Sequence, residues 1–176
     1  MSGHNRWSQI KNKKGANDRR RAKVFTKILK GLAAAAREEQ NPDFNPRLRS
    51  MIALAKENSV PNENIARAIA GAKEGKALET IVVESYGPEK VALIIEALTD
   101  NRNRTIQEIR IILQKHDAKM GEMGSARWAF EQETPGADWK PKFTQMISDA
   151  GADKLAALID ALEDQDDVQK VFENAE

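Results

Sequence analysis

The chain has 176 residues, of which 40% are hydrophobic and 31% charged, with a formal net charge of +1 and no cysteine. Its length suits one large or two small domains with real cores. The composition excludes an acidic disordered tail, a membrane protein, disulfides, thiolate catalysis and cysteine-ligated zinc.

Charge is graded along the sequence. Residues 1–50 carry 13 Lys/Arg against 4 Asp/Glu, residues 51–130 carry 11 of each, and residues 131–176 carry 4 against 12. Such a gradient points to a polyanion-facing N-terminus. The alternative is that the two ends neutralise each other in the fold or between subunits.

The opening MSGHNRWSQIKNKK lacks the apolar segment of a secretory signal. It is Lys-rich and ends in a glycine turn, unlike an organelle presequence, so the expected location is cytoplasmic. Trp7, beside His4 and Asn5, can stack on a base or, with Ile10, fold back as an anchor on the helical domain. From Lys11 to Lys23 the run KNKKGANDRRRAK holds seven basic residues and one acid. It reads as an arm carrying Lys11, Lys13 and Lys14, hinged at Gly15, and then a helix from Asn17 or Asp18 to about Gln40. At 3.6 residues per turn Val24, Phe25, Ile28, Leu29, Leu32, Ala35 and Ala36 gather on one side, with Arg19, Lys23, Lys27 and Lys30 opposite. Arg21 falls towards the apolar side and reaches water along its stem.

Asn45-Pro46 caps and opens a helix to about Glu57, with Leu48, Met51, Ile52 and Ala55 inward. Pro61 opens another, carrying Ile65, Ala68 and Ile69 and ending at Gly71 or Gly75. GAKEGKA is the expected linker. The period then changes: TIVVESY and VALIIEAL, parted by Gly87-Pro88, predict a hairpin. Thr105 and Glu108 match the T-x-x-E capping box of a helix bearing Ile106, Ile109, Ile112 and Leu113. SARWAF predicts a strand, EQETPGADWKP a connection, WKPKFTQMI a short edge strand, Leu155, Leu158, Ile159 and Leu162 a last helix, and VQKVF a closing strand.

Three further features carry chemistry. In TDNRNRT, Arg102 and Arg104 stand at a helix N-terminus, where backbone N–H groups favour an anion; the same segment is also simply a capped turn. GEMGSARW contains G-x-x-G, the pattern with which KH domains clamp a nucleic-acid backbone, but here it enters a strand, which favours a glycine turn. Trp128 and Phe130 share one face of that strand, as stacking platforms or as sheet core. His4 and His116 form no catalytic motif, and Asp160, Glu163, Asp164, Asp166 and Asp167 lack the spacing of a calcium loop and read as a solvated helix end.

The segments SGHNRWSQIKNKKGANDRRRAKVFTKILK, NPRLRSMIALAKENSVPNENIARAI, ESYGPEKVALIIEALTDNRNRT, GEMGSARWAF and LIDALEDQDDVQKVFENAE, in this order, closely resemble the YebC/PmpR family. Its organellar relatives include the mitochondrial translational activator of cytochrome oxidase. The resemblance implies a helical N-terminal domain followed by α/β domains, no enzymatic activity and a role in gene expression. Members have been described as DNA-binding transcriptional regulators, and others look like translation factors at the ribosome. Between Glu131 and about Asp153 relatives usually insert a further small α/β domain, which this chain passes by a short connection.

The expected fold is α+β: a basic three-helix domain with its arm over residues 1–75, then a ferredoxin-like α/β sandwich with a mainly antiparallel sheet over residues 76–176. Residues 131–152 form the short connection. The expected function is a non-enzymatic, nucleic-acid-binding regulator of gene expression, a DNA-binding transcriptional regulator of YebC type. The alternative is a translation factor on rRNA or tRNA of the ribosome. The phosphate-contacting candidates are Lys11, Lys13, Lys14, Arg19, Arg20, Arg21, Lys23, Lys27, Lys30, Arg102 and Arg104. No cofactor, metal, small-molecule substrate or membrane is expected, and self-association, if any, is weak. No helix rich in Asn, Gln and Arg is set for base edges, which favours backbone or shape recognition.

Overall fold

The computed structural model describes residues 17–134 and 136–176, with side chains from residue 21 onward. Lys11, Lys13, Lys14, Trp7 and the hinge at Gly15 lie outside the described residues. The described chain divides into two compact units, a helical one ending at Glu79 and an α+β one over Thr80–Glu176. No helix among the described residues is long and apolar enough to cross a membrane.

The helical unit contains α1 (Asn17–Glu38), α2 (Pro46–Glu57) and α3 (Asn62–Ala70), followed by a single 3-10 turn. Helix α1 packs against both others, burying Ile28, Leu32, Ala35 and Ala36 against Leu48, Ala55, Val60, Ile65 and Ala72. The expected helical spacing is thus the packing surface. Small residues set the approach: a Cβ added at Gly31 would stand 2.5 Å from Cε of Met51. Val24, expected inward, is 39% exposed. Its helix has 22 residues against 12 and 9 in its partners, so the first turns of α1 outrun the two helices that cover the rest.

The junction of α1 and α2 depends on Asn45, which is buried. Its Oδ1 accepts from the Leu48 N–H at 2.9 Å, capping α2. Its Nδ2 donates to the Ala35 carbonyl at 2.8 Å and the Glu39 carbonyl at 2.7 Å. One side chain therefore satisfies an orphan donor of one helix and two carbonyls at the end of the other.

The α+β unit has β1 (Glu79–Tyr86), β2 (Ala92–Thr99), α4 (Arg102–Lys115), β3 (Lys119–Met120), β4 (Phe130–Glu131), β5 (Lys140–Pro141), α5 (Asp149–Asp164) and β6 (Val168–Glu173). Its four-stranded sheet has the order β3-β1-β2-β6. β3 pairs antiparallel with β1, and β6 antiparallel with β2. β1 and β2 are neighbours joined by a short turn, which only antiparallel strands allow. The antiparallel sheet of the expected sandwich is present, with the opening hairpin at its centre.

Alternation along the hairpin decides what each face meets. Ile81, Val83, Leu93, Ile95 and Ala97 face α4 and α5, packing on Ile109, Leu113, Leu155, Leu158 and Leu162. Ala92 and Ile94 point the other way, into a second cluster with Ala126, Ala129 and Phe130, flanked by Tyr86, Trp139 and Phe172. β2 is buried on both faces, which accounts for the unbroken apolar run VALIIEAL.

Three local expectations change. Helix α4 is capped by Asn101, whose Oδ1 accepts from the Arg104 N–H at 3.1 Å. The T-x-x-E box is not its start, and Thr105 is buried one turn in. SARWAF is no strand: Arg127–Ala129 form a 3-10 turn before the two residues of β4. β5 pairs with β4 in a separate two-stranded ribbon and does not extend the main sheet.

Replacing Asn45 by alanine removes the cap and leaves two carbonyls without their donor, for an expected loss of about 2–4 kcal/mol. Asn45→Ser restores the cap alone and should recover only part of it. Urea denaturation followed by helix ellipticity measures both.

Candidate nucleic-acid interface

On α1 the basic residues follow the helix period. Lys23, Lys27 and Lys30 lie at i, i+4 and i+7, on the side opposite Ile28, Leu32 and Ala35. All three are half-buried, and each is engaged within the fold. They form a cationic stripe along one side of the helix. Arg21 is exposed, with its guanidinium 5.6 Å from the centre of the Phe25 ring. The stem-stretched arginine expected from its awkward helical position is therefore a cation laid on an aromatic face. Arg19 and Arg20 belong to the first turn of the helix, and their side chains lie outside the described residues.

The two arginines of TDNRNRT do not form a matched pair. Arg102 is exposed in the first turn of α4 and has a partner in the fold. Arg104 Nη2 lies 2.9 Å from Asp100 Oδ1 and 2.8 Å from Asp167 Oδ2. Asp167, only 4% exposed, also accepts from Thr105 Oγ1 at 2.5 Å, and Thr105 Oγ1 in turn lies 2.8 Å from that of Thr99. The hydrogen bond to Asp167, opposed by desolvation and helped by Asp100, raises the Arg104 pKa above its ordinary value. Arg104 thus neutralises a buried carboxylate that joins the end of β2, the start of α4 and the loop before β6. A phosphate at this helix N-terminus has to share Arg104 with three acids, since Glu108 Oε1 also stands 3.9 Å from its Nε.

The acidic segment expected to be a solvated helix end is therefore divided. Asp164 and Asp166 are exposed along an open groove that Arg104, Glu108, Gln165 and Asp167 also line, while Asp167 itself is 4% exposed and held by hydrogen bonds. Among the described residues no three His, Cys, Asp or Glu side chains come together to hold a metal ion.

The GEMGSAR loop is organised around Glu84, a feature that sequence reading missed. This β1 residue is 4% exposed, and its carboxylate accepts from the N–H groups of Gly124, Ala126 and Arg127 at 2.8, 2.8 and 2.9 Å. Arg127 Nε stands 3.5 Å away. Gly124 has φ +86°, a conformation that glycine tolerates and that aims its N–H at the acid. Burial pushes the Glu84 pKa up, but the three N–H groups and the guanidinium outweigh it and hold the carboxyl below its ordinary 4.5. The available signal was an acid in an otherwise apolar, β-branched strand, where a charge is retained only with partners.

The chain resembles known proteins over nearly all its length. Residues 5–75 match the family model described as TACO1/YebC protein N-terminal domain, and residues 78–135 the one described as TACO1/YebC second and third domain. A probable transcriptional regulatory protein of Fervidobacterium nodosum is 37% identical over 235 residues, covering 99% of this chain and 93% of its own. One from Desulfosudis oleivorans is 42% identical over 190 residues, covering 99% and 77%. The crystal structure of a conserved hypothetical protein, Aq1575 from Aquifex aeolicus, superposes with a TM-score of 0.84 at 32% identity, over 97% of this chain and 96% of that one.

Glu84 makes stability depend on acid. Its folded-state pKa is depressed, so its contribution is present above the unfolded value near 4.5 and is lost as pH falls through the lower folded value. Glu84→Gln, which sets an amide N–H against backbone donors, is expected to cost about 3 kcal/mol at pH 7. It should also flatten the loss of stability as pH falls below the unfolded value near 4.5, as read from denaturant midpoints on the acid side.

Proposed function

The chain belongs to the TACO1/YebC family, and from that premise we propose that it is a non-enzymatic regulator of gene expression that holds duplex DNA through the basic arm and the cationic side of α1. The observation that carries this reading is the segregation of charge. Within residues 1–50 the 13 basic residues face only 4 acids, and on α1 the lysines at i, i+4 and i+7 lie opposite the buried stripe. Relatives from Fervidobacterium nodosum and Desulfosudis oleivorans bear the name probable transcriptional regulatory protein, which favours transcription as the stage of control.

The physics is that of counterion release. Each Lys or Arg laid against a phosphate frees condensed cations, giving affinity that is independent of sequence and falls steeply with salt. A helical stripe supplies register on the backbone and an arm follows the strand. Bidentate arginines at Arg19, Arg20 and Arg21 add geometry to charge. On α4, Arg104 already serves Asp100 and Asp167 and would reach a phosphate only by sharing.

Residues 131–152 are read as the short connection in place of an inserted domain. Two facts support this: alignments with relatives run over 235 and 238 residues against a chain of 176, and the match to the second and third domain stops at residue 135.

Replacing Arg19, Lys23, Lys27 and Lys30 by glutamine is expected to abolish most binding and to reduce the slope of log K against log salt by roughly 0.9 for each phosphate that is no longer neutralised. Fluorescence anisotropy with a labelled duplex from about 50 to 300 mM salt reads both. A folded variant that binds as tightly as the parent refutes the assignment. Crosslinking in cells, with sequencing of DNA and RNA, separates promoter DNA from rRNA or tRNA.

A further inference from the structure

The α+β unit displays an aromatic surface. Trp128 is 58% and Phe143 51% exposed, with ring centroids 5.7 Å apart and planes inclined by 39°. Large exposed aromatics in contact with each other are uncommon on a solvated surface, because burial stabilises them more. The sequence pairing of Trp128 with Phe130 is replaced: Phe130 turns into the second core cluster, and Phe143 stands beside Trp128.

The indole of Trp128 and the backbone of Phe143 are held in place. Trp128 Nε1 donates to Tyr86 Oη at 3.2 Å, and Tyr86 Oη donates to the Ser125 carbonyl. The backbone on either side of Trp128 is pinned through the Glu84 carboxylate and the Ala129 carbonyl, which accepts from the Lys142 N–H at 2.8 Å. The Phe143 N–H reaches the same carbonyl at 3.2 Å, and the Phe143 carbonyl accepts from Asn174 Nδ2 at 2.8 Å. The cost of ordering the exposed indole is thus already met within the fold, which is what a preorganised binding element requires.

Chemistry selects the occupant. The indole directs its only donor inward to Tyr86, so what it offers outward is a bare π face. Lys142 Nζ lies 5.7 Å from the centre of the Phe143 ring, whereas Arg127 is committed to Glu84 and to the Trp139 ring, whose centre is 5.3 Å from its guanidinium. An open aromatic face next to a cation suits an unpaired base with its phosphate. A base inside a duplex presents no such face, and the unpaired nucleic acid that a regulator of gene expression routinely meets is RNA.

We propose that Trp128, buttressed by Phe143 with Lys142 beside it, is a stacking site for an unpaired base of single-stranded RNA. The proposal rests on the nucleic-acid reading of this chain but adds a second, aromatic contact, in the unit that does not carry the basic helix. Being a π face, the site is tolerant of base identity.

The test uses the full chain, a labelled single-stranded RNA of about 12 nucleotides, the same RNA annealed to its complement, and a single-stranded DNA of the same sequence. Trp128→Ala should weaken single-stranded RNA binding roughly 5- to 100-fold, the range expected on removing one base–aromatic stack. It should leave duplex binding within about two-fold, and Trp128→Phe should retain most of the RNA affinity. Matching thermal melts establish that the variants fold. Single-stranded RNA binding that is absent in the parent, or unchanged in Trp128→Ala, overturns the proposal, as does tighter binding of the DNA strand. A substitution that spares RNA but abolishes capture of a protein partner also overturns it and makes the patch a protein-docking surface. Loss of duplex binding in the glutamine variant of α1 is a separate result, so failure of the stacking site and failure of the basic-helix reading are told apart.

Discussion

The α+β unit is built around a strand that cannot face water on either side. In β2, Leu93, Ile95 and Ala97 look one way and Ala92 and Ile94 the other, and all are buried. Two covers are therefore needed. Helices α4 and α5 provide one through their leucines and isoleucines. The other is assembled from the irregular segment between β3 and α5, which brings Ala126, Ala129, Phe130 and Trp139 onto the opposite face.

An irregular cover has unpaired backbone groups to satisfy, and here an acid does so. Glu84 takes three N–H groups from the 124–127 turn, supplying charge–dipole energy where a strand would have used a ladder. The result is a rigid turn whose backbone is committed inward and whose large side chains are left outward. Met123 at 88% and Trp128 at 58% exposure are the consequence. The same logic operates at Asp167, where Arg104 and Thr105 satisfy a buried carboxylate. In both places a buried carboxylate is part of what keeps the fold closed.

Charge along the chain and charge in space are different quantities. The C-terminal acids read as one solvated run, yet Asp167 is internal and Lys170 pairs with Asp138, while the basic residues of α1 keep the helical segregation that their spacing implies. Regular elements preserve sequence periodicity in three dimensions. Loops do not, because their side-chain directions follow from whichever partner satisfies the backbone.

The helices, their inward faces, the hairpin and the closing strand were legible in the amino-acid sequence, since each follows from a period of 3.6 or 2 and from local punctuation at Asn45-Pro46, Pro61 and Gly87-Pro88. The family, too, was carried by contiguous segments. Tertiary structure alone decided that Asn101 rather than Thr105 caps α4, that Phe143 rather than Phe130 accompanies Trp128, and that Arg104 is held by Asp167. The physical reason is one of range. Periodicity and capping are energies between residues a few positions apart, whereas Glu84 meets Arg127 and Arg104 meets Asp167 across some 40 and 60 positions, through buried charges whose partners no local pattern announces.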